Sequence, residues 1–205
     1  MKFTTLSPLF LAFANVALGN LNATTIIAEI APGSESCASD NADCRTAAQA
    51  GPWIADAMCK YELYSVNVMA AVIALMAFES VDFAFKHNIS PGRPGQGTAN
   101  MQAATYNLMY AKSLDGVKDQ VADVDSVDGL SDDKLNEILA LVTPDKYNFG
   151  SGPWFLTTQC DASVVTALKA DIDTGFQSYM ECVGTTLTDE RTAYLTRAKE
   201  AFGIN

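Results

Sequence analysis

A glutamate at the end of a long apolar run is the residue of this sequence best placed for proton chemistry. Positions 68–78 read VMAAVIALMAF, without a polar side chain, and stop at Glu79-Ser80. A carboxyl group on an apolar helix end loses solvation, which raises its pKa and suits a general acid. Two further groups lie downstream. Gly97-Thr98-Ala99-Asn100-Met101-Gln102 offers a backbone open to close approach, and amides at Asn100 and Gln102 that match hydroxyl and acetamido groups. Tyr147-Asn148-Phe149-Gly150 offers a phenol that could bond the reactive carboxyl or stack on a sugar. Asp145, beside that motif, is the expected second carboxylate; Asp82 lies too near Glu79, and Asp161 is a weaker choice. Each group also has a plain structural reading: a helix-end glutamate, a helix start capped by Thr98 or Asn100, and an Asn-Gly turn.

In this order the three groups resemble the motifs of the lysozyme-like superfamily, in its transglycosylase and goose-type lysozyme branch. There a Glu-Ser pair ends a hydrophobic helix, and a Gly-Leu-Met-Gln-like motif and a Tyr-Asn-x-Gly motif follow. The matching residues here are Glu79-Ser80, then Gly97 with Asn100-Met101-Gln102, then Tyr147 to Gly150. Asn100 stands where the family has leucine. The resemblance covers about residues 53–160. It implies Glu79 as catalytic acid/base, with Ser80, Asn100, Gln102, Tyr147 and Asn148 supporting it or binding substrate. It implies a glycan-cleaving enzyme without a cofactor or metal: a muramidase, a lytic transglycosylase, or a chitinase/chitosanase-like hydrolase. The partner would be an amino-sugar polysaccharide, peptidoglycan or chitin/chitosan. The alternative is a non-catalytic secreted binding or effector protein on the same scaffold, because fold does not fix function.

The elements that must position these residues are mostly helical. No Gly or Pro interrupts 53–78, which predicts one long helix, amphipathic early and apolar late, with Pro52 at its start. Its uninterrupted apolar part is too short to span a bilayer. Two prolines and three glycines make 86–98 a loop. Helix is predicted again over 99–113. An acidic connection follows over 115–129; its aspartate spacing fails as a calcium loop. Ser131 reads as a cap for a helix that Pro144 ends, and 147–152 as a loop. Short helices are predicted over 154–160, 163–170 and 174–182, and Thr188 caps a last one. The fold class expected is a mostly α, lysozyme-like single domain with long loops and disulfides. Residues 1–19 read as a signal peptide, 20–50 as a polar, Cys-containing N-terminal arm, and 51–205 as the helical domain.

Thirteen basic against 24 acidic residues give a net charge of −11. Such a surface argues against nucleic acid and anionic membranes. The leader predicts a secreted, extracellular protein, and a monomer is expected. Secretion favours disulfides among the five cysteines. Cys160 with Cys182 is the first pair expected, and Cys59 with Cys37 or Cys44 the second. One thiol is left over. A single histidine, His87, makes a zinc site unpromising. The sequons at Asn22 and Asn88 are expected glycosylation sites.

Overall fold

A computed structural model describes residues 22–205. The expected signal peptide, residues 1–19, lies outside the described residues. Among the described residues ten α-helices form and there is no strand, only isolated bridges from Gly97 to His87 and to Gln102. The helices are α1 (Ala23–Ile30), α2 (Ala47–Lys60), α3 (Val66–Glu79), α4 (Ala104–Ser113), α5 (Asp132–Val142), α6 (Asp145–Asn148), α7 (Ser151–Thr158), α8 (Ala162–Ala170), α9 (Ile172–Cys182) and α10 (Asp189–Phe202). The mostly α class expected from the sequence is what the chain adopts.

α3 is the axis. Val68 and every residue from Ala70 to Ala77 are buried. A helix apolar all round can be stable only if it is enclosed, and α1, α7, α8, α9 and α10 pack on it. A second core forms beside it from Leu108, Tyr110, Leu114, Ile138, Val142 and Trp154. α7 joins the two: Leu156 enters the first core, Trp154 and Phe155 the second.

Several sequence expectations meet a different local structure. The long helix predicted over 53–78 is two helices, α2 and α3, separated at 61–65, where Glu62 has φ of 57°. α2 starts at Ala47, set by a capping box between Thr46 and Gln49, so Pro52 lies inside it. The first part of the predicted arm is α1, whose Ile26, Ile27 and Ile30 enter the core. α7 begins at Ser151, with Gly152 and Pro153 in its first turn, where a proline costs no helical hydrogen bond.

The disulfides are Cys160–Cys182 and Cys37–Cys44. The expected bond from Cys59 is corrected: Cys59 is unpaired and exposed. A compact loop before α2 brings Cys37 and Cys44 together, while Cys59 lies in the last turn of that helix. At 1.5 Å per residue, that puts it roughly 20 Å along the axis from the loop.

α8 and α9 cross so closely that a Cβ on Gly175 would lie 2.4 Å from backbone atoms of Leu168. Helix propensity favours alanine over glycine by about 1 kcal/mol, but overpacking against backbone opposes it. Gly175→Ala is therefore expected to destabilise the protein by about 1–3 kcal/mol, read from the midpoint of urea unfolding. A stabilised variant would show that the crossing is looser than this.

Candidate functional site

The end of α3 opens onto a polar pocket of about 370 Å³ at the seam between the two cores. Leu75 and Glu79 come from α3, Tyr106 from α4, Phe155 from α7 and Arg191 from α10. The loop before α4 contributes Arg93, Gln96 and residues 100–103, and the turn after α9 contributes residues 183–185. Of the residues singled out in the sequence, Glu79, Asn100 and Gln102 are brought together here. Arg191, Tyr106 and Phe155 were missed, since nothing local in sequence links them to Glu79.

Glu79 is held by Arg191, whose Nη2 donates to Glu79 Oε1 at 2.8 Å. The guanidinium also lies over the Phe78 ring, 4.5 Å from its centroid, and its Nη1 donates to the Thr186 carbonyl. Thr188 caps α10 as expected, its Oγ1 accepting from the Arg191 amide. That cap fixes the first turn of α10 and with it the side chain that meets Glu79. Beneath, burial first and the Glu79 charge second push the Tyr179 hydroxyl pKa up.

The amides of the 95–103 loop are ordered by one another. Asn107 Nδ2 donates to the carbonyls of Gly95 and Gln102. Its Oδ1 accepts from Gln102 Nε2 at 2.9 Å. Gln102 Oε1 is thereby left to accept from Asn100 Nδ2 at 3.4 Å. The loop backbone is strained, with Thr98 at φ 66° and Met101 at 46°. Asn148 holds it from behind, its Oδ1 accepting from the Ala99 amide, while the Thr98 amide donates to the Lys86 carbonyl. Three polar atoms on the pocket's lining residues are buried without a partner: Gln96 Oε1, Asn100 Oδ1 and Arg191 Nε.

The other singled-out residues lie elsewhere. Ser80 is fully buried; its Oγ donates to the Met76 carbonyl and accepts from the Phe83 amide, closing the turn after α3. That turn runs through three left-handed residues, Val81, Asp82 and Phe83. Asp145, expected as a second carboxylate, is outside the pocket in an ion pair with Arg45 at 2.7 Å and Lys86 at 2.5 Å. Burial acts to raise its pKa, but the hydrogen bonds from Arg45 and Lys86 together outweigh that and hold it below the usual range. Tyr147 also lies outside the pocket and stacks under Lys146. Asn22 caps α1 through its side chain, and Asn88 Oδ1 accepts from the Gly92 and Arg93 amides.

A second, apolar hollow of about 220 Å³ lies beside α1 and α2, lined by Ile26, Ile54, Met58 and Cys59 among others. His87, exposed, pairs with Asp43. Among the described residues no three His, Cys, Asp or Glu side chains converge as metal ligands. None of the helices among them is long and apolar enough to cross a membrane.

No family model matches the chain, and no solved structure matches it. Over 157 residues, 76% of its length, it is 56% identical to a Fusarium oxysporum (strain Fo5176) protein named bifunctional dioxygenase (DOX)-epoxy alcohol synthase (EAS). The chain spans 12% of that protein's length. This corrects the lysozyme-like assignment and, with it, the glycan-cleaving activity and the amino-sugar polysaccharide partner. The name of the matched protein is not that of a glycosidase or cell-wall enzyme. The geometry agrees: one expected carboxylate is clamped by a guanidinium, and the other is ion-paired outside the pocket.

Two outcomes follow from the ion pairs. In a double-mutant cycle, Glu79→Gln and Arg191→Met should show a coupling of about 1–2 kcal/mol, the scale of a charge-assisted, partly exposed hydrogen bond. Coupling near zero in urea unfolding would mark the pair as incidental. Asp145 has a depressed native pKa, so its stabilisation is present above the unfolded value of about 4 and is lost as pH falls through the native one. The acid limb of wild-type stability below about pH 4 should therefore flatten in Asp145→Asn, with stability at pH 7 reduced. An unchanged acid limb would exclude Asp145 as its source.

Proposed function

We propose that this chain is a helical ligand-binding module whose pocket at the seam of the two cores takes a small polar molecule. One observation carries the reading: a polar pocket whose lining residues hold three buried, unpartnered hydrogen-bonding atoms. Leaving such an atom unsatisfied costs about 1–3 kcal/mol, and a bound molecule that satisfies it recovers that cost. At about 370 Å³ the pocket lies at the small end of the ligand-site range, about 300–1,000 Å³. The ordered chain from Asn107 through Gln102 to Asn100 supports it, since preorganised amides lose little entropy on binding. The expected leader makes a secreted protein part of this proposal.

The match to a protein named for dioxygenase and epoxy alcohol synthase activities raises a catalytic reading as well. Dioxygen chemistry at a bound metal requires converging imidazole, thiolate or carboxylate ligands. The described residues do not supply them: the single histidine is exposed and engaged by Asp43. A binding role for a module that makes up a small part of such a protein fits the residues better.

The test is a ligand-observed NMR screen of a polar fragment library against the wild-type protein and Asn100→Leu. Fragments that bind the wild type, and lose at least about tenfold in affinity with Asn100→Leu, as expected for about 1.4 kcal/mol, support the reading. A screen without binders overturns it, as does one whose binders are indifferent to the substitution in a variant shown by circular dichroism to be folded.

A further inference from the structure

Resting on that reading, we infer that the molecule taken by the pocket is a small hydroxycarboxylate: one carboxylate and at least one hydroxyl on an otherwise apolar frame. The first support is charge. In a chain of net charge −11, the pocket lining contains two arginines and a single acid. Glu79 neutralises Arg191. Arg93 is exposed at the rim and makes no ion pair among the described residues. One positive charge is left over, which one carboxylate matches. A dianionic phosphate would place surplus negative charge beside Glu79, and an amine would face Arg93.

The second support is the set of unpartnered atoms. Arg191 uses Nη2 on Glu79 and Nη1 on the Thr186 carbonyl, and its Nε has no acceptor. Asn100 is 7% exposed, and its Oδ1 has no donor. The orientation of that amide is set by its neighbours: Asn107 Oδ1 takes the Gln102 amino group, Gln102 Oε1 takes the Asn100 amino group, and Asn100 Oδ1 remains. Gln96 Nε2 donates to the Met101 carbonyl, so Gln96 Oε1 remains in the same way. A carboxylate has no hydrogen to give these two acceptors, and a hydroxyl has one. A neutral donor is therefore needed beside the carboxylate, and a hydroxyl is the smallest such group. The apolar part of the wall, Leu75, Tyr106, Phe155 and Val183, accommodates the frame that carries them.

The experiment compares three matched probes at low ionic strength by NMR titration: mandelate, phenylacetate, which lacks the hydroxyl, and mandelamide, which lacks the charge. Mandelate is expected to bind at least about tenfold more tightly than either, one hydrogen bond or ion pair being worth about 1.4 kcal/mol here. Arg93→Gln, in an exposed loop, should remove most of the advantage over mandelamide. Asn100→Leu should bring mandelate and phenylacetate to equal affinity. Equal binding of all three probes, tighter binding of mandelamide, or no binding of mandelate overturns the hydroxycarboxylate assignment. Each of these leaves the pocket reading standing if fragments in the polar screen still lose affinity with Asn100→Leu. Failure of both experiments removes the site itself.

Discussion

An apolar helix with no polar stripe imposes the organisation of this protein. α3 can be covered only by neighbours on every side, and the helices that cover it come from both ends of the chain: α1 before it, α7 to α10 after it. Where α3 ends, the enclosing layer must accept a change from hydrocarbon to charge. The chain meets that demand by bringing Arg191 to Glu79 and by closing the turn on the Ser80 hydroxyl. The same turn is tied outward at Asp82. One oxygen of that carboxylate accepts from the Gly33 amide, the other from the Tyr194 hydroxyl. The exit of α3 is thus fixed to the first and last parts of the fold at once.

Cations are scarce in this chain, and most of those near the core act as clamps. Arg45 and Lys86 share Asp145 and tie the loop before α2 to α6. Arg197 donates to the Ile30 carbonyl at the end of α1 and stacks on Tyr194. The Lys86 side chain is almost fully buried, and its own carbonyl receives the Thr98 amide. A structural ion pair therefore lies directly behind the loop that forms one wall of the pocket. Asp145 and Asn148 thus act on the site through the backbone of 97–102 and are not part of its lining.

Much of the helical content was legible because burial and capping leave local marks. Ser131 and Thr188 cap α5 and α10 where their side chains and following acids say they should. The Pro/Gly content of 86–98 marked a loop. The break between α2 and α3 left no such mark: Tyr61 to Ser65 contains neither Gly nor Pro, and tertiary packing overrides propensity there. The gathering of Glu79, Asn100 and Gln102 was legible because they flank one helix end and one loop. Arg191 was not, since a partner 112 positions away produces no periodicity. The third motif misled for a physical reason. Tyr147 and Asn148 are spaced for a turn; the chain packs the first under Lys146 and uses the second to hold the 95–103 loop. The same residue types serve support and recognition equally well, so type and order alone did not separate the two roles.

The two cores meet along α7, and the disulfide from Cys160 to Cys182 lies against both. Tyr61, Cys160, Cys182 and Val183 pack against both. The pocket opens along this same line, with Val183 in its wall. A molecule seated there touches residues from each half, so it acts as a splint across a joint. Its effect would register as stiffening of one half against the other, at positions remote from any atom it contacts.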